Sequence, residues 1–354
     1  MPLCGYDSNR DSAAACGRPG RRSARAFLFV LLGIGIAARA ADSRIGIIGI
    51  DSTHAARFAQ AFNGADAAHR VAGARIVCGF KGGSADMERS RSRVEQFSAE
   101  LRDKFGVALV DSPAEVVARS DAIMILSVDG RAHLPQARAV FGRGKPVFID
   151  KPLGGSLADS IALVRYARET QTRVFSSSNY RFAAGLAKLT AAVPGRIRLA
   201  QTYGPATIEP LMPDFYFYVV HVTESLYTLL GPGCETVART STALCETATG
   251  IWSDGRTGAV YGLRGDRVGS GATAYGDRTV ASEVLETNFP ALARAIVGFF
   301  RGEEAPVRLE ETLEIMAFME AADESKRRGG APVKLAEVMA RAGGDPGMLQ
   351  MARR

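Results

Sequence analysis

From Arg44 onward the chain alternates short apolar, β-rich runs with stretches whose apolar residues recur at helical spacing. The pattern predicts strands over residues 44–50, 74–80, 107–110, 122–128, 146–149 and 173–176. Between them it predicts helices over 54–62, 89–105, 133–141 and 157–170, and a shorter helix that Ser112-Pro113 would start well. Continuous apolar strands separated by amphipathic helices are the signature of a parallel sheet covered on both faces.

After Asn179 the pattern changes. A helix over 183–192 and a strand over 196–203 lead to a loop holding Pro205, Pro210 and Pro213. An aromatic helix from Asp214 to Leu230 ends at Gly231-Pro232-Gly233. Three or four strands follow between Glu235 and Ala281, divided by turns such as Ser253-Asp254-Gly255 and Arg264-Gly265-Asp266 and with no helix between them. Helices return at 289–300 and 310–326. The reading is an α/β protein: a Rossmann dinucleotide-binding domain over 41–178, then an α+β domain over 179–354 with a mainly antiparallel open sheet that binds substrate or a second subunit.

Composition modifies this picture in two places. The net charge of +7 over 354 residues could suggest a polyanionic partner, but residues 1–40 hold six Arg against Asp7 and Asp11. The remainder carries +3, and no zinc-finger, RNA-recognition or basic-aromatic pattern accompanies it, so no nucleic-acid partner is expected. Arg18, Arg21, Arg22 and Arg25 precede an apolar run from Ala26 to Ala38 that ends in Ala38-Arg39-Ala40. A basic region, a short apolar core and a small-x-small site read as a signal peptide over 1–40, cleaved after Ala40. Arg21-Arg22 resembles a twin-arginine signal, so the expectation is an exported protein that meets a membrane only in transit. Cys78, Cys234 and Cys245 remain after removal of the leader, an odd number without metal-ligand spacing, so no metal is expected.

A dinucleotide fold needs a tight turn between its first strand and helix, where backbone N–H groups meet the pyrophosphate. Gly46-Ile-Ile-Gly49-Ile-Asp51-Ser52-Thr53-His54 sits there. Aligned on Gly49 as the first glycine of GxGxxG, Asp51 and His54 take the places of the second and third. A carboxylate at Asp51 would crowd and repel phosphate, whereas Ser52, Thr53 and His54 could donate to it. After the second strand the chain offers Lys81 with Ser84 and Arg89, not an acid for a ribose diol, which favours NADP over NAD by charge. Ser127, on the fourth strand, belongs to the same cofactor-facing edge.

The densest chemistry lies at His133 and at Gly144-Lys145-Pro146-Val147-Phe148-Ile149-Asp150-Lys151-Pro152. A lysine just after a buried strand and just before a proline stands at the carboxyl edge of the sheet, where it can relay a proton or stabilise an alkoxide, tuned by Asp150. With Asn179-Tyr180-Arg181-Phe182 and Ala322 with Ser325, these spaced residues resemble the glucose-fructose oxidoreductase/inositol dehydrogenase (Gfo/Idh/MocA) family over nearly the whole chain beyond the leader.

The resemblance implies hydride transfer between NADP or NAD and a carbinol carbon of a sugar, cyclitol or related polyol. It makes Lys151 and His221 the catalytic pair, sets His133, Asp150 and Arg181 beside the cofactor, and puts substrate against Lys151, His221, Asp214 and Tyr218. It also implies a homo-oligomer. Phe217 and Glu224 stand where the family's helix carries Asp, and Val219 where it carries Gly, so Asp214, Tyr216 or Tyr218 would have to take over the first Asp. Two other readings are a glycosidase that works through a redox cycle on a retained nicotinamide, and a binding protein that has lost catalysis.

Overall fold

The computed structural model describes residues 42–66, 70–265 and 268–352. The expected signal peptide and its cleavage point lie outside these residues. No helix among the described residues is long and apolar enough to cross a membrane.

The first sheet is built from β1 (Ser43–Ile48), β2 (Ala74–Phe80), β3 (Ala108–Val110), β4 (Ala122–Ile125), β5 (Val147–Asp150) and β6 (Val174–Ser177). All its pairings are parallel and the order is β3-β2-β1-β4-β5-β6. Every residue of β4, β5 and β6 is buried, as a sheet covered on both sides requires. Its helices are α1 (Thr53–Asn63), α2 (Glu88–Arg91), α3 (Val94–Phe105), α4 (Pro113–Arg119), α5 (His133–Val140) and α6 (Leu157–Glu169). Ser112 caps α4 by accepting from the Glu115 N–H at 3.3 Å. The helix expected over 89–105 is broken at Ser92–Arg93 into α2 and α3, and Ser90 of α2 faces inward: its hydroxyl donates to Asp51 at 2.6 Å and accepts the Ser84 N–H at 2.8 Å.

The second sheet contains β7 (Ile197–Pro205), β8 (Cys234–Ser241), β9 (Cys245–Trp252), β10 (Thr257–Leu263), β11 (Gly271–Gly276), β12 (Val280–Val284) and the short β13 (Val333–Lys334). Its order is β12-β11-β7-β10-β9-β8-β13, antiparallel except where β7 runs parallel to β10. The remaining helices are α7 (Ala184–Ala192), α8 (Val219–Leu230), α9 (Phe289–Phe300), α10 (Leu309–Arg327), α11 (Leu335–Arg341) and α12 (Gly347–Met351). The aromatic helix thus starts at Val219 rather than Asp214, and ahead of it the Tyr216 N–H donates to Pro213 O in a tight turn.

The two halves share their packing. On α9, Phe289 meets Phe58 of α1 at 5.6 Å between ring centroids, and Phe299 meets Phe175 of β6 at 4.9 Å. Each such buried ring contributes about 1.5–3 kcal/mol. The chain therefore returns after its second sheet to seal one face of the first, and α1 is fixed from both sides.

Candidate active site

The carboxyl ends of β1, β4 and β5 converge with the start of α8. Lys151 follows β5, its peptide bond to Pro152 is cis, and its side chain is only 9% exposed. Its ammonium makes no hydrogen bond among the described residues and lies 5.9 Å from the centroid of the Phe217 ring. Burial pushes its pKa below the usual lysine value, opposed by Asp150 and helped by Arg89.

Lys151 shares a cavity of about 60 Å³ with His54, Arg89, Arg93, Phe217, Tyr218 and His221. A second cavity of about 200 Å³ shares Thr53, His54, Tyr218 and His221 with it and adds Arg57, Asn179 and Ser270.

His221 enters from α8, with Nδ1 2.7 Å from the Ser178 hydroxyl. Burial drives its pKa well below the ordinary histidine value, and the charges of Lys151 and His54 act in the same direction. Ser178 is itself placed by Glu224, which accepts from the Ser178 N–H at 2.7 Å and the Ser177 hydroxyl at 2.6 Å. Glu224 therefore secures the seat of the histidine without facing the cavity.

His54 approaches from α1 and Asp150 from β5, with Nδ1 2.7 Å from Oδ2. Burial raises the Asp150 pKa, but His54 and Lys151 outweigh it and the net direction is down. The other oxygen, Oδ1, has no hydrogen-bond partner among the described residues.

Several residues expected at the cofactor are occupied elsewhere. Asp51 does not face the crevice: it is fully buried, with Oδ1 accepting the Val128 N–H at 3.0 Å and Oδ2 accepting from Ser90. Gly49 has a φ of 89°, and a Cβ there would lie 2.3 Å from the Ser127 hydroxyl, so its bareness lets the turn close on the end of β4. Ser127 is bonded to Gln136 at 2.8 Å. His133 is buried between two carbonyls, with Nδ1 2.9 Å from Pro152 O and Nε2 2.9 Å from Ser127 O, and braces the Lys151–Pro152 turn.

Lys81 is ion-paired to Glu95 at 2.7 Å, so it is not a free cation awaiting a ribose phosphate. Arg181 pairs with Glu224 at 2.8 Å and Glu311 at 2.6 Å and so ties α8 to α10. Asp214 pairs with Lys326 at 2.6 Å and with the buried Arg239 at 3.0 Å, away from both cavities. In each case a salt bridge claims the charge, for Arg181 and Asp214 with residues remote in sequence.

The structure adds Arg93, Arg57 and Asn179 to the site and brings Arg89 to a place its sequence position did not indicate. Arg89 stacks over Phe217 at 4.9 Å.

The residues at the reactive end fit a nicotinamide dinucleotide. The Lys151 amine has no hydrogen-bond partner among the described residues, His221 favours its neutral form, and Ser52 spends its hydroxyl on Leu126 O at 2.9 Å, leaving the first turn of α1 without a side-chain cap. At the phosphate end, the Val128 N–H is already used by Asp51.

A parallel sheet in the order 3-2-1-4-5-6 with a strand-end lysine, followed by an open mixed sheet, defines a two-domain protein with a Rossmann first domain. Residues 43–178 match the model of the GFO_IDH_MocA family, described as "Oxidoreductase family, NAD-binding Rossmann fold". No curated protein sequence matches the chain.

Among solved structures, the fold is similar to that of scyllo-inositol dehydrogenase from Lactobacillus casei with bound NAD(H) and scyllo-inositol, at 16% identity, TM-score 0.65, covering 84% of this chain and 100% of that one. It is also similar to myo-inositol dehydrogenase from the same organism in complex with NAD(H) and myo-inositol, at 15% identity, TM-score 0.64 and coverage of 83% and 97%. An oxidoreductase from Agrobacterium radiobacter in complex with NAD+, L-tartaric acid and magnesium matches at 15% identity, TM-score 0.65 and coverage of 84% and 100%.

Proposed function

We propose that the whole chain is a member of the Gfo/Idh/MocA oxidoreductases, exported by its leader, that oxidises or reduces a carbinol carbon of a sugar, cyclitol or related polyol with NAD(P). The observation that carries this reading is the buried, unpartnered amine of Lys151 on the same cavity wall as His221. Inositol dehydrogenases of the same fold, solved with NAD(H) and their inositols, support it.

When bound, the nicotinamide supplies or accepts the hydride. The chain's part is the proton. In the His221 tautomer whose Nδ1 carries the proton and donates to the Ser178 hydroxyl, Nε2 has the lone pair and would accept the alcohol proton, while Lys151 would hold the oxygen on which negative charge develops. The depressed pKa of His221 keeps it neutral at pH 7, as a base must be. Thr53 and the backbone N–H groups of the first turn of α1 would hold the dinucleotide, the Ser52 hydroxyl being bonded to Leu126 O. The pairing of Lys81 with Glu95 gives NADP no advantage over NAD in this reading.

A second reading, a sugar-binding relative without a dinucleotide, is favoured by one observation: the Asp51 carboxylate takes the backbone N–H at the end of β4. Titrating the purified protein with NADH and NADPH by fluorescence, and identifying any ligand released on denaturation by absorbance and mass, separates the two. Saturable binding that is weakened in Lys151→Ala supports the oxidoreductase, and its absence at millimolar dinucleotide leaves the binding protein.

A further inference from the structure

We propose that the cavity beside Lys151 takes a single anionic group, a carboxylate or phosphate monoester carried by the substrate, and that Arg89 and Arg93 select it. As the substrate's anion, it rests on the oxidoreductase reading; as a binding site, it stands alone.

Three cationic side chains, those of Lys151, Arg89 and Arg93, line a space of about 60 Å³. Lys151 and the Arg93 guanidinium make no hydrogen bond or ion pair among the described residues. Arg89 has only a loose pairing, 3.6 Å from Glu209, and its Nε has no hydrogen bond. The one carboxylate on the cavity wall, Asp150, has Oδ2 engaged by His54.

Phe217 forms the floor under two of these cations, 4.9 Å from Arg89 and 5.9 Å from Lys151. An apolar ring at that place offers a cation–π surface and no competing charge. Asp150 on the wall and Glu209 3.6 Å from Arg89 offset only part of the charge of three partly desolvated cations, and an anion with two or three acceptor oxygens relieves the remainder through charge-assisted hydrogen bonds. A neutral polyol hydroxyl does so far less.

The volume suits one such group. The adjoining cavity of about 200 Å³ suits a hydroxylated remainder, with the buried Asn179 Oδ1 unpartnered and Ser270 on its wall. The site thus reads as one for a polyhydroxy acid or sugar phosphate, with the anion beside Lys151 and the hydroxyls toward Asn179.

The test uses the full chain without its leader and isothermal titration with gluconate, glucose 6-phosphate and neutral glucitol, together with NADH binding by fluorescence. Gluconate or glucose 6-phosphate should bind at least about tenfold more tightly than glucitol, and Arg93→Gln and Arg89→Gln should each remove about tenfold of that preference. Circular dichroism of both variants ensures that they are folded.

Equal affinity for glucitol and gluconate, unchanged in both variants, overturns the proposal and leaves the oxidoreductase reading standing. If instead both variants lose NADH and keep gluconate, the arginines serve the dinucleotide's phosphates and the proposal also falls. Anion binding lost in the variants of a protein that binds no NADH supports the site and removes the oxidoreductase reading.

Discussion

His54 Nδ1 lies 2.7 Å from Asp150 Oδ2, which joins the first turn of α1 to the residue immediately before Lys151. The position where a dinucleotide fold usually has its third glycine is used here to hold an aspartate. That aspartate in turn acts on the lysine, because its charge opposes the effect of burial on the Lys151 ammonium.

Asp150→Asn should therefore lower the Lys151 pKa further, since burial and Arg89 then act unopposed. The pH at which Lys151 reaches half its maximal rate of acylation, followed by peptide mass spectrometry, moves down in the variant. A midpoint that stays put or rises would show that Asp150 does not govern the amine.

Arg181→Met should cost about 3–5 kcal/mol, because two buried or nearly buried carboxylates, Glu224 and Glu311, lose their common partner. Urea unfolding measures it. A variant as stable as the parent but deficient in NADH binding would return Arg181 to the cofactor.

The elements were legible in the sequence because each states its own period: the all-buried runs of β4 and β5 and the Ser112-Pro113 start of α4 are local signals. The place of Lys151 directly after β5 was legible for the same reason, as Asp-Lys-Pro at a strand end needs no distant information. The misplaced residues share the opposite property. Whether Arg181 meets a cofactor or Glu311 depends on a helix 130 positions away, and Asp214 meets Lys326 across 112. Arg89 looked like a phosphate ligand after β2, but its target, Phe217, lies in the other half of the chain. Asp51 misled because alignment to a glycine motif describes backbone space, not the direction a side chain takes once donors such as Ser90 and Val128 are nearby.

Asp51→Asn should destabilise the protein by about 1–3 kcal/mol, since both carboxylate oxygens now accept and an amide can accept at only one. Ser90 can compensate only in part: its oxygen has a second lone pair for the new amide N–H, but its own O–H, which now donates to Asp51, then loses its acceptor. Urea unfolding of Asp51→Asn beside Ser90→Ala checks this, with Ser90→Ala expected to cost no more than the amide; equal stability of Asp51→Asn and the parent would refute the brace.

His221 gives stability a pH dependence with a definite sign. Its folded pKa is depressed well below the unfolded 6.5, so the unfolded chain binds the extra proton more readily, and stability is lost as pH falls from 6.5 toward the folded value. Asp323 acts in the opposite sense, its carboxyl being pushed up to about 7 by burial, so its contribution is lost as pH rises from 3.8 to about 7. The two overlap below neutrality and only a difference experiment isolates the histidine. Urea unfolding at several pH values between 5 and 8 should show that His221→Gln gains stability over the parent at the acid end, with the gap closing above pH 6.5. A constant gap across that range would mean that His221 carries the same protonation in the folded and unfolded chains.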